Sequence, residues 1–272
     1  MRNIHHNLAK FNINSKRVYC VPLAIAALFM SGCNAATPHM DTHMAVHQPH
    51  SGGIQTKPDS AVFAPFDIVH TKIKTVGNEA VFHMSVSGIA GEIKPNPIGQ
   101  LGGSDVYAYV WPTTMDSYVV GFERDAGILA LVATSHPDFD DTPLYDENND
   151  GDNANDGGLW HSHWVVLKPN EQCGEGALGV VDIPEGVKPR LPKTWPGFPI
   201  LLDSPKWKPA FNADSIEIRV PFDDISVVTN ARFDGVTAGL RVHQSIHAPL
   251  LCVVDVKKIA SGDLSLPGTP NQ

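Results

Sequence analysis

Apolar and polar positions alternate with a period of two over most of the chain, the pattern of β-strands that bury one face. It is clearest in "FDIVHTKIKTV" (66–76) and "EAVFHMSVSGI" (79–89), which flank Gly77-Asn78, a two-residue turn suited to a β-hairpin. The same alternation, or a short apolar run, marks further strands at 105–112, 128–135, 161–167, 177–183, 215–222, 237–244 and 250–259. Helical periodicity is weak, and "PTTMDSYVVGFE" (112–123) reads as a short helix or turn. Gly and Pro, 23 and 22 in number, punctuate the strands. About nine short strands with such turns predict an all-β fold, an antiparallel β-sandwich with long loops and little helix.

The N-terminus departs from this pattern. Residues 1–19 carry Arg2, Lys10, Lys16 and Arg17 with no acid, and an apolar run of eleven residues follows at 20–30. Eleven residues suit the core of an export signal, whereas a bilayer-spanning helix needs about 20. The run ends in Met30-Ser31-Gly32-Cys33, which resembles the lipobox of bacterial lipoproteins, with Met30 where Leu is usual. That resemblance implies removal of a signal peptide over 1–32 and acylation of Cys33. It also implies stable membrane attachment, since two or more acyl chains hold where one is marginal. Asn34 after the cysteine implies the outer membrane, facing the periplasm or the cell surface. The other reading of the same residues is an ordinary secretory signal cut near "NAA" (34–36).

Residues 33–60 lack hydrophobic periodicity and read as a flexible tether, followed by a single domain over 61–260 and a disordered tail over 261–272. The tether carries His39, Met40, His43, Met44, His47 and His50, nitrogen and sulfur donors that suit Cu or Zn. A compositional accident in a neutral linker accounts for them equally.

Charge narrows the function classes. Cleavage before Cys33 would remove four basic and no acidic residues from totals of 20 and 29, leaving a net charge of -13. So acidic a chain repels phosphate backbones, which disfavours nucleic acid and favours cationic partners. Of the four cysteines, Cys20 lies in the expected signal and Cys33 at the lipobox, so Cys173 and Cys252 are the pair expected to form a disulfide in an oxidising compartment, with a paired metal-thiolate site as the other reading.

Two neighbouring segments carry candidate chemistry. "DENNDGDNANDGG" (146–158) places Asp146, Asn148 and Asp150 at alternate positions before Gly151, followed by Asp152 and Asp156. This resembles the D-x-N-x-D-G half of calcium loops, although Gly157 stands where an EF-hand has Glu. Ca2+ takes six to eight oxygen ligands, and Asp138 and Asp140 just upstream would add two more. Eight carboxylates between 138 and 156 with no Lys or Arg among them repel one another, which a divalent cation would relieve; a solvated turn is the plainer reading. Directly after comes "LWHSHWVVL", whose His161 and His163 share one strand face while Trp160 and Trp164 share the other. An H-x-H pair suits Zn or Cu when a third ligand joins it, and His136, His83 or an acidic-loop Asp are the candidates; otherwise the pair is wet surface.

The hairpin 66–88 together with "SIEIRVPFDDIS" (215–226) resembles the DOMON and family-9 carbohydrate-binding sandwiches, extracytoplasmic domains that bind haem or sugars. This implies an immunoglobulin-like or DOMON-like topology, with Met84 and His243 or His247 matching the haem-ligand types in order. The aromatic residues Tyr107, Tyr109, Trp111, Trp160, Trp164, Trp195 and Trp207 would serve as sugar-stacking surfaces or as core. No nucleophile elbow, zincin, P-loop or dinucleotide motif occurs, so binding is a simpler expectation than catalysis. The sequence reading is a lipid-anchored envelope protein that binds Ca2+ in the acidic loop and Cu or Zn at histidines. A haem- or sugar-binding module and a metal-dependent hydrolase are its rivals.

Overall fold

Side chains that alternate across a strand must find two different neighbourhoods, and here one is shared between two sheets while the other is enclosed by a single sheet. The computed structural model describes residues 52–137, 150–152, 158–181, 207–244 and 251–272, all within the compact unit His50–Gln272. In chain order the strands are β1 (Ile54–Gln55), β2 (Ile68–Val76), β3 (Glu79–Val86), β4 (Asp105–Pro112), β5 (Ile128–Ser135) and β6 (His161–Pro169). They continue with β7 (Leu178–Val180), β8 (Ala210–Asn212), β9 (Ser215–Pro221), β10 (Val236–Val242) and β11 (Leu251–Ile259). Among the described residues helix is confined to single turns, such as Ser226–Thr229. Every described pairing is antiparallel.

The fold is all-β with two sheets, but the second sheet corrects the expected sandwich. One sheet is open, in the order β1-β2-β3-β9-β8; the other closes into a six-stranded barrel, β10-β11-β7-β6-β5-β4. Closure comes from β10, which pairs with β11 on one side and with β4 on the other. The residues inside explain why so few strands can close. Val106, Ala108, Val110, Ala130, Val132, Val165, Leu167, Val236, Ala238 and Leu240 form a buried cluster drawn from barrel strands, and its mostly small or β-branched side chains, with two leucines, fill a narrow lumen.

The large side chains point the other way. Tyr109, Trp111, Leu129, Leu131 and Trp164 leave the barrel wall and pack against Phe82, Met84, Ile216 and Ile218 of the open sheet, which makes the main core. Phe82 meets both tryptophans edge-on, with ring centroids 6.1 Å from Trp111 and 5.9 Å from Trp164. Of the aromatic residues expected as stacking surface or core, Trp111, Trp164, Tyr109 and Trp207 are buried, and Tyr107 and Trp160 are partly buried against the core. Trp195 lies outside the described residues.

Local signals were realised where the backbone needs them. Val76 pairs with Glu79 across Gly77-Asn78, and Gly77 takes a φ of +62°, in the left-handed region that favours glycine. The helix-or-turn segment becomes a 3-10 turn over Ser117–Val120, capped by the Asp116 carboxylate accepting from Tyr118 N and ended by Gly121 at a φ of +99°. Residues 261–272, expected to be disordered, are instead held by backbone pairing. Gly268 and Phe233 exchange two 3.0 Å hydrogen bonds, and Asn271 N donates to Ile73 O at 2.9 Å. Gln272 O accepts from Gly53 N at 2.6 Å, and the end of the expected tether forms β1 against β2. Main-chain bonding of this kind needs no apolar pattern, so neither segment announced itself.

Two covalent or charged links tie the strands. Cys173 and Cys252 form the expected disulfide, with sulfurs 2.06 Å apart, joining the turn before β7 to β11. Asp67, almost fully buried, accepts from Lys258 Nζ at 2.8 Å, Ser87 Oγ at 2.8 Å and Asp59 N at 2.9 Å. No helix among the described residues is long and apolar enough to cross a membrane.

Candidate metal centre

The strand pattern that carries Val165 and Leu167 into the barrel carries His161 and His163 to the same side, because all four are odd-numbered positions of β6. Trp160 and Trp164 take the opposite face and pack in the core between the sheets. The two histidines are not wet surface: His161 is 1 % exposed and His163 8 %. On the neighbouring strand the inward positions are even, through Ala130, Val132 and Thr134, and His136 continues that series one step past the end of β5. Three imidazoles thus gather at one end of the barrel. The rings of His136 and His161 are 4.8 Å apart and near perpendicular, and those of His161 and His163 are also 4.8 Å apart.

The nitrogen contacts set the chemistry. His161 Nδ1 lies 2.9 Å from Leu159 O, and His136 Nδ1 lies 2.9 Å from Pro137 O. A carbonyl oxygen only accepts, so each Nδ1 must carry the proton and donate it. In the neutral rings each Nε2 then presents a lone pair, and these two nitrogens face each other at 3.1 Å. Two acceptors at that distance repel unless a proton or a cation sits between them. Burial, and then the charges that His163 and His136 would carry, hold His161 well below the ordinary imidazole range, against the favourable pull of the Leu159 carbonyl. A shared proton is disfavoured by the same surroundings. A metal ion bonded to both nitrogens at 2.0–2.1 Å would see them at an angle of about 100°, near that of tetrahedral or square coordination.

The start of β6 is braced from the other face. Trp160 Nε1 donates to Gly91 O at 2.9 Å, Gly91 N donates to the Tyr109 hydroxyl at 2.8 Å, and that hydroxyl donates to Pro65 O at 2.8 Å. Burial pushes Tyr109 up to about 12, beyond what the Gly91 N–H can offset. Ser162 Oγ adds a 2.7 Å bond to Trp207 O. These contacts fix the backbone from which His161 projects, the support a ligating side chain needs.

Other expected site residues fall elsewhere. Asp150 and Asp152 are exposed, with Asp150 Oδ1 accepting from Asp152 N at 2.9 Å in a turn. Asp138, Asp140, Asp146, Asn148 and Asp156 lie outside the described residues, as do Cys33, the histidines and methionines of residues 39–50, and His247. In sequence the acidic stretch joins His136 to His161. His83 is not brought to them; it sits on β3 of the open sheet, with Nε2 3.1 Å from Ser85 Oγ and its ring 5.7 Å from His70. Met84 is fully buried in the core, and His243 follows β10. Among the described residues no three His, Cys, Asp or Glu side chains are arranged to hold one ion, so His136 and His161 supply the aligned donors, with His163 beside them.

One polar residue of this site gave no signal in the sequence. Thr134 pairs directly with His161 across the β5–β6 ladder, a placement visible only once the register is known. The chain matches no protein-family model, no curated protein and no solved structure.

Proposed function

We propose that this chain is a metal-binding protein of the bacterial cell envelope, tethered by lipid at Cys33, which holds Zn(II) or Cu(II) on Nε2 of His136 and His161. His163, whose ring centroid lies 4.8 Å from that of His161, is the neighbouring imidazole. The observation that carries this reading is the 3.1 Å approach of two Nε2 atoms whose Nδ1 partners are both committed to carbonyl oxygens. Imidazole nitrogen suits both metals, and the carbonyl partners fix the tautomer that ligation requires. The acidic residues between 138 and 156 would take Ca2+ as a separate, harder ion, on the strength of their oxygen donors and charge density.

The test is Co(II) substitution of purified, chelator-treated protein, read by visible d–d absorption, together with elemental analysis of the protein as isolated. Wild type should bind one Co(II) with bands displaced by Zn(II). Losing a mere hydrogen-bond partner of a ligand costs 10–100-fold in metal affinity, so His136→Ala and His161→Ala should each weaken binding by about 100-fold or more. His136 is only half-buried, which makes its variant the safer to fold. Binding unchanged in both variants sinks the assignment. For the acidic stretch, Ca2+ should raise the thermal midpoint by mass action, and replacing Asp146, Asp150 and Asp156 together should abolish that rise.

A further inference from the structure

We infer that the ion held by His136 and His161 keeps a coordination position open toward the barrel interior, filled by water or hydroxide that Thr134 holds and that a small anion can displace. This rests on the metal reading above. The independent observation is the Thr134 hydroxyl. Thr134 is 3 % exposed, and its Oγ1 has no hydrogen-bond partner. Neighbouring hydroxyls at the same end of the barrel are satisfied by carbonyls: Ser135 Oγ donates to Gly158 O at 3.3 Å and Ser162 Oγ to Trp207 O at 2.7 Å. Those serines occupy the outward positions. Thr134 occupies an inward one, in line with Ala130 and Val132, and two residues before His136 on the same face.

Its position relative to the nitrogen pair follows from the register. Thr134 is directly opposite His161, and side chains so paired leave the sheet on the same side with Cβ atoms about 5 Å apart. A buried hydroxyl left without a partner is costly, and the surrounding wall of Val and Ala offers none. The ladder pairing with His161 puts a ligand of the Nε2 pair within reach as the group that completes it. A metal-bound water fits on three grounds. Two imidazoles leave at least two positions of a four-coordinate ion to other ligands. Bound water or hydroxide can both donate to and accept from a threonine hydroxyl. It also needs only the volume of one water molecule. Exchange of that water for a small anion involves no redox step; the anion's lone pair forms the new bond to the metal and water departs.

The experiment compares wild type, Thr134→Val and Thr134→Ser as Co(II)-loaded protein titrated with azide, read in the d–d bands, alongside thermal melts with and without metal. Val keeps the shape and removes the hydroxyl, while Ser keeps the hydroxyl. Azide should perturb the wild-type spectrum saturably, and Thr134→Val, which removes the hydroxyl holding the displaced water, should bind it about 5-fold more tightly, the worth of one hydrogen bond. Thr134→Ser should return the affinity to near the wild-type value. In melts, Thr134→Val should lower the midpoint of metal-loaded protein yet leave metal-free protein unchanged or higher, since an unpartnered hydroxyl gives nothing up. Normal Co(II) bands with no response to azide, or an azide affinity equal in all three proteins, overturn the inference while leaving the metal site standing. Absence of Co(II) bands in wild type overturns the metal reading itself and the inference with it.

Discussion

Replacing Tyr109 by Phe removes one oxygen that joins three segments: it accepts from Gly91 N and donates to Pro65 O, both at 2.8 Å, while Gly91 O receives the indole proton of Trp160 next to His161. The ring is fully buried, so Phe keeps the packing and leaves an amide and a carbonyl without their partner. At about 1–3 kcal/mol for each such group, partly relieved by relaxation, the variant should lose roughly 2–3 kcal/mol at pH 8. The cost should then shrink with rising pH. An unfolded tyrosine ionises near pH 10, whereas burial pushes Tyr109 up to about 12. The wild-type fold therefore has its full stability below pH 10 and loses it progressively between pH 10 and 12, as the unfolded chain releases a proton that the native state retains. One pKa unit corresponds to 1.36 kcal/mol, so by pH 11 wild type should have given up about 1.4 kcal/mol that Tyr109→Phe never had to lose. Urea denaturation followed by tryptophan fluorescence at pH 8 and pH 11 measures both gaps. A difference between the two proteins that stays constant across that range refutes the argument, because it would mean the hydroxyl is neither buried nor bonded as described.

Two further outcomes test the scaffold. Cys173→Ser with Cys252→Ser should cost roughly 4 kcal/mol, the chain-entropy value for the sequence separation of 79, and a denaturation midpoint insensitive to reductant would contradict it. Lys258→Met should destabilise by about 3 kcal/mol, because it leaves the buried Asp67 carboxylate with only Ser87 and Asp59 N as donors. Adding Asp67→Asn to that variant should recover part of the loss, and a single-variant cost below about 1 kcal/mol would show the pair to be solvated.

Much of the secondary structure was legible. The boundaries of β4 and β5 coincide with the stretches 105–112 and 128–135, and the Gly77-Asn78 hairpin forms where its turn residues predict. Strands β1 and β8, of two and three residues, are too short to show a period. The C-terminal twelve residues are held by main-chain bonds that composition does not encode. At the candidate site, alternation put His161 and His163 on one face and Trp160 and Trp164 on the other, and His136 was among the residues expected to join them.

Which side chains share a strand face follows from the order of residues alone, because a period of two is a local property of the backbone. The cysteine pair expected from the chain, Cys173 and Cys252, is the one joined. Which face lies inside the barrel, which strand neighbours which, and hence that Thr134, His136 and His161 share one end of it, emerge from long-range pairing. Barrel and sandwich strands carry the same alternation; what separates them is whether β10 finds β4 across more than a hundred residues of chain, a pairing no local pattern records.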